Sequence, residues 1–206
     1  MAIALNALGP SFATEVSGID LSEPLDDASV RTLWDAIDRY AVLVFHNQSL
    51  TDTQLRDFAA RFGPLEIGRG ALQGGRRRLA IPQIGDISNL DEDNRIRALD
   101  DRRRLDSLGN RLWHTDASYM PVPVVLGMLH AVALPPATAL GGGETEFADM
   151  RAAWDMLDAG IKDQIKDLVA EHSRIFSKGT LGFQFTEQEL IDFAPVRQPL
   201  VRTHPR

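Results

Sequence analysis

The chain has 206 residues, 22 Lys and Arg against 29 Asp and Glu, a net charge of -7 and no cysteine. That length suits one domain, residues 1–206, with a substantial core, and the acidic balance argues against a nucleic-acid or anionic-membrane partner, which needs clustered positive charge. Without cysteine, disulfide scaffolds, thiolate metal sites and thiol nucleophiles are excluded, and with no long apolar run and no basic leader the expected location is cytoplasmic.

In chain order, Asp26 and Asp27 open a predicted helix carrying Val30, Leu33, Trp34 and Ile37 at helical spacing. Residues 41–45, AVLVF, read as a buried strand. Thr51 and Gln54 form a capping-box pattern before a helix with Leu55, Phe58, Ala59 and Phe62 on one face, stopped by Gly63-Pro64. Trp34, Phe45, Phe58 and Phe62 are the expected core of this part.

Residues 66–111 lack periodicity and hold two basic runs, 76–78 and 102–104. They read either as a solvated loop face or as a cationic cover over an anionic substrate. Strands are predicted over 112–119, 122–134 and 144–148, with Gly141-Gly142-Gly143 as a turn. Asp149 caps a predicted helix bearing Met150, Ala153, Trp154 and Leu157. Ile161, Ile165, Leu168 and Val169 mark another amphipathic stretch, and Thr186 with Glu189 opens the last helix.

The chemistry-bearing segment is Trp113-His114-Thr115-Asp116-Ala117-Ser118-Tyr119. On a strand, His114, Asp116 and Ser118 would share one face. An imidazole and a carboxylate so spaced can grip one metal ion, two-thirds of the 2-His-1-carboxylate triad of non-haem Fe(II) oxygenases. The alternative is a plain polar strand face. Of the other histidines, His130 reads as a hydrogen-bonded core residue, His46 as a turn residue and His172 as a helix C-terminal residue favoured by the dipole.

The segments LWHTDASY (112–119), GGETEFADMRAA (142–153) and LVRTHP (200–205), together with YAVLVF (40–45) and FGPL (62–65), resemble the taurine/2,4-dichlorophenoxyacetate (TauD/TfdA-like) dioxygenase family over the whole chain, most nearly its phenoxyalkanoate-degrading branch. The resemblance implies a mixed α/β, mainly β fold: a double-stranded β-helix (jelly-roll) with flanking helices, lacking its C-terminal strands. It implies Fe(II) held by His114 and Asp116, and 2-oxoglutarate as cosubstrate contacted by Thr145. Asn110, Ser118, His204 and Arg78 would line the pocket of a small carboxylate such as a phenoxyalkanoate. The implied reaction hydroxylates that substrate with dioxygen, releasing succinate and CO2.

Two departures accompany the resemblance. The family's third iron ligand, a histidine, and its 2-oxoglutarate arginine lie downstream of the Thr203-His204-Pro205 segment, and no residue here replaces them. Residues 137–140 look inserted before Thr145. An alternative reading follows: a catalytically inactive, truncated jelly-roll fragment serving as a binding or assembly module. A zinc site is a weaker alternative, because two ligands are fewer than catalytic zinc takes. An exposed helical face is compatible with a homo-oligomer.

Overall fold

The computed structural model describes residues 2–68, 76–134, 136 and 143–204. These form two compact units, one of residues up to Leu65 with Met128–Leu157, the other of Glu66–Gly127 with the segment from Asp158 onward. The inserted-looking residues 137–140, and Gly141 and Gly142 of the expected turn, lie outside the described residues.

The first unit is built on a three-stranded sheet. Strand β1 (Ala4–Ala7) runs antiparallel to β2 (Thr14–Ser17), pairing Ala4 with Ser17 and Ala7 with Thr14. Strand β3 (Leu43–Phe45) pairs parallel to β2, Thr14 opposite Leu43. A parallel pair needs a crossover, and helix α1 (Asp27–Tyr40) supplies it. Asp26 caps α1 by accepting the Ser29 amide at 2.7 Å. Of the predicted apolar stripe, Val30 and Leu33 are buried, Leu33 with no exposed surface, whereas Trp34 and Ile37 are only half-buried; Ala36 and Tyr40 complete the buried face of α1. Position 18 needs glycine: its φ is +74°, and a Cβ there would lie 2.3 Å from the Ala2 carbonyl oxygen.

Helix α2 (Asp52–Ala60) opens with the expected capping box, Thr51 and Gln54 bonding reciprocally. Its apolar face meets the rest of this unit through an aromatic chain. Phe58 lies 6.2 Å from Phe45 and 5.3 Å from Phe62, and Phe62 lies 5.4 Å from Trp34, all edge to face. The four rings are half-buried, so this expected core is a partly solvated cluster beside the Leu33 core. Helix α4 (Met150–Met156) belongs to the same unit, capped by Asp149, and its Arg151 donates to the Asp38 carbonyl at 3.0 Å.

The second unit holds helix α3 (Arg102–Ser107), a 3-10 turn (Leu108–Arg111), helices α5 (Ala159–Ile165), α6 (Arg174–Gly179) and α7 (Glu187–Asp192), and a two-stranded antiparallel sheet. That sheet pairs β4 (Val169–His172) with β5 (Val196–Pro199). His172 is thus a strand residue opposite Val196, not a helix C-terminal one. Thr186 and Glu189 form the second expected capping box.

The fold is mixed α/β, but the expected mainly β jelly-roll is not present in its sheets. Residues 112–119, 122–134 and 144–148 form no strand among the described residues. The reason lies in how each element satisfies its backbone. A helix closes its own hydrogen bonds, whereas a strand must borrow donors and acceptors from a neighbour, and none of the described segments pairs with these three. The locally specified helices form, and the partner-dependent strands do not.

Candidate metal-binding turn

His114 and Asp116 do come together, by a different route from the expected one. Residues 113–115 are irregular and 116–119 make a turn, so the strand alternation that would have put His114, Asp116 and Ser118 on one face does not apply. Ala117, inside the turn, has φ +54°, and its carbonyl accepts the Met120 amide at 2.9 Å. At the entrance to this turn the Asp116 carboxylate meets the imidazole, His114 Nε2 lying 3.1 Å from Asp116 Oδ1. Gly127 faces this carboxylate; a Cβ there would stand 3.5 Å from Oδ2.

The imidazole is oriented from behind. Its Nδ1 lies 2.6 Å from the Leu112 carbonyl oxygen, which can only accept, so the hydrogen sits on Nδ1. In the neutral ring, Nε2 then presents a lone pair to a carboxylate oxygen. Two electron-rich atoms in that position suit a shared cation. Two ligands each about 2.1 Å from one ion, at a right angle, stand about 3 Å apart. The pair is open to solvent, with 46% of the His114 side chain and 74% of Asp116 exposed. These residues fit two ligands of a divalent ion. Among the described residues, no group of three His, Asp or Glu side chains completes a site.

The other expected site residues are more scattered. Asn110 lies within the 3-10 turn and is exposed, while Ser118 is half-buried in the 116–119 turn. Thr145 lies in the first unit, exposed on an irregular segment rather than a strand. His204, the last described residue, is exposed and outside any element. Arg78 is engaged by Asp86, its Nε and a terminal nitrogen donating at 2.8 and 2.5 Å. Arg76 pairs with Asp93 at 2.8 Å, and Arg77 donates to the Ile84 carbonyl at 3.1 Å. The basic run therefore scaffolds its own loop, a role that neither sequence reading foresaw. His130 is half-buried with Nε2 3.2 Å from the Gln48 carbonyl oxygen, as expected of a hydrogen-bonded core histidine.

Sequence reasoning missed a cavity of about 470 Å³ in the second unit, whose walls include Arg97, Asp101, Arg102, Arg174, Phe183 and Phe193. Ion pairs between residues tens of positions apart build it: Arg102 with Glu189 at 2.5 Å and Arg174 with Asp106 at 2.9 Å. No local pattern could signal them.

The Arg102–Glu189 and Arg78–Asp86 pairs tie the stability of this unit to pH. The hydrogen bond from Arg102 holds the Glu189 carboxyl below its ordinary 4.5, and that from Arg78 holds Asp86 below its ordinary 3.8. A carboxyl lowered by folding contributes stability that is present above its unfolded value and is lost as pH falls through the folded one. The urea midpoint is therefore expected to fall between pH 6 and pH 3, less steeply in Glu189→Gln. A variant falling as steeply as the parent would remove Glu189 from this account.

No described helix is long and apolar enough to cross a membrane. The taurine catabolism dioxygenase TauD, TfdA family model matches residues 4–206. The chain is 38% identical over 205 residues to an alpha-ketoglutarate-dependent 2,4-dichlorophenoxyacetate dioxygenase of Cupriavidus pinatubonensis, covering 99% of this chain and 70% of that protein. It is 36% identical to an (S)-phenoxypropionate/alpha-ketoglutarate-dioxygenase of Sphingobium herbicidovorans, over 96% of this chain and 65% of that one. Among solved structures it resembles AAD-2 in complex with Mn(II) and N-oxalylglycine, with TM-score 0.80 and 42% identity over 100% of this chain and 68% of that chain. The chain thus spans roughly two-thirds of the length of these relatives and belongs to the TauD, TfdA family of Fe(II)- and 2-oxoglutarate-dependent dioxygenases.

Proposed function

We propose that this chain carries the iron-gripping turn of a dioxygenase that hydroxylates a small carboxylate such as a phenoxyalkanoate, with His114 and Asp116 as two of the iron ligands. The observation that carries this is the imidazole locked by the Leu112 carbonyl so that Nε2 faces Asp116 Oδ1 at 3.1 Å. Fe(II) bound there with 2-oxoglutarate would supply dioxygen activation, with succinate and CO2 leaving as the substrate is hydroxylated.

The chain's own residues would do the rest. Leu112 fixes the ring tautomer, Thr145 donates its hydroxyl to the 2-oxoglutarate carboxylate, and Asn110, Ser118 and His204 shape the substrate pocket. Arg78 would serve the substrate carboxylate only by exchanging its Asp86 partner, since its fork is already filled.

The test is succinate release from 2-oxoglutarate, Fe(II), ascorbate and a panel of phenoxyalkanoates. The 206-residue chain alone should give none, because the described residues gather only two ligands. Fused to the downstream remainder of the Cupriavidus relative, it should give succinate in step with substrate loss. A second reading, an inactive segment acting as a binding or assembly module, is favoured by the apolar side chains exposed in the first unit, among them Val132 at 85% and Met156 at 86%. A fused chain that folds but never releases succinate would support that reading and defeat the first.

A further inference from the structure

We propose that Arg174 is a positioning residue that holds the Asp116–Tyr119 turn in its metal-gripping conformation. The inference rests on the reading of Asp116 as a ligand for its purpose, but not for its geometry.

Arg174 is the first residue of α6, where Ser173 caps the helix by accepting the Phe176 amide at 3.0 Å. Its guanidinium reaches two other elements. One terminal nitrogen donates to both carboxylate oxygens of Asp106 in α3, at 2.9 and 3.0 Å. The other donates to the Tyr119 hydroxyl at 3.4 Å. The guanidinium carbon also lies 5.6 Å from the centre of the Tyr119 ring and 4.8 Å from that of Phe193. Lys178, one turn along α6, adds a second ion pair to Asp106 at 3.0 Å. Arg174 therefore rests on a fixed anchor, Asp106, and presents its remaining face to the last residue of the turn.

The turn needs such a hold. Ala117 adopts the left-handed region without being glycine, a conformation that persists only where surroundings impose it. Tyr119 is three residues beyond Asp116, and in a four-residue turn the orientation of the last residue constrains that of the first. From the other side, the Gln198 side chain donates to the Met120 carbonyl at 3.0 Å. Plain packing does not account for an arginine here. Its Nε is buried without an acceptor among the described residues, a cost that an apolar side chain would avoid. An arginine does what an apolar residue cannot: one terminal nitrogen grips Asp106 while the other reaches the Tyr119 hydroxyl.

Amide exchange of the metal-free chain tests this, read at Met120, whose N–H the turn protects, against the Leu200 amide in the same unit and the Ala41 amide in the other. Arg174→Gln should speed Met120 exchange at least ~10-fold while the reference amides stay within about 2-fold, the signature of a local opening. Arg174→Lys should restore part of the protection, keeping the charge without the fork. Unchanged Met120 exchange, or Met120 and Leu200 rising together, overturns the proposal. Should Arg174→Gln fail to fold, Tyr119→Leu removes the same contact from the turn's side and must give the same local rise; a protected Met120 there also overturns it.

A parallel Mn(II) titration of the fused chain separates this inference from the one beneath it. Mn(II) binding lost in His114→Ala but intact in Arg174→Gln, with Met120 protected, defeats the positioning role and leaves the iron reading. A local rise at Met120 in a protein that binds no Mn(II) defeats the iron reading and leaves the clamp.

Discussion

His114→Ala is expected to lower succinate release by the fused chain more than about 100-fold, beyond the 10–100-fold that loss of a mere outer partner of a ligand costs. The substitution removes Nε2, the atom facing Asp116, and leaves an otherwise exposed position. Stability should hardly move, since exposed side chains away from special backbone contribute within about 0.5 kcal/mol. That contrast, a collapse of turnover at constant unfolding midpoint, separates a ligand from a structural histidine. His130→Ala is the control: its Nε2 meets a backbone carbonyl, so any loss there should follow the melting behaviour. If His114→Ala kept turnover within ten-fold, this turn would not hold the iron.

The largest stability effect is expected at Leu33. Its side chain is wholly buried between α1 and the sheet, and Leu33→Ala should lower the unfolding free energy of the first unit by about 3 kcal/mol, within the 2–5 kcal/mol that such truncations cost. Phe58→Ala should cost less, about 2 kcal/mol, because its ring is already partly solvated although it bridges Phe45 and Phe62. Met156→Ala, at a position 86% exposed, should be nearly silent. Urea titration followed by circular dichroism, with the slope compared between variants, reads all three. A Leu33→Ala effect below about 0.5 kcal/mol would mean that the α1 stripe does not carry the core.

What could be read from the sequence divides along a physical line. The caps at Asp26, Thr51, Asp149 and Thr186, and Val30 and Leu33 of the α1 stripe, are written within three or four residues of one another and were legible. The strands over 112–134 were expected from apolar runs, but such runs say only that a segment could pair; what it pairs with is recorded elsewhere. His114 and Asp116 were legible as residue types at a short spacing. The turn that begins at Asp116 was not, because the positive φ of Ala117 leaves no mark in an alanine. The Asp106–Arg174 pair joins residues 68 positions apart and was invisible for the same reason as the cavity it helps to build.

The conformation of Ala117 also bears on which substitutions the turn tolerates. The constraint at this position falls on the main chain, so acceptance of a new residue is decided by what its Cβ does to a positive φ, with polarity and size secondary. Glycine and asparagine enter that region readily, whereas valine, isoleucine and threonine resist it. Two neighbouring positions, Asp116 and Ser118, would be filtered by the chemistry of their side chains, and the one between them by backbone geometry alone. A substitution profile that alternates in this way along three consecutive residues is the imprint of a turn, where a strand would show instead an alternation between two faces.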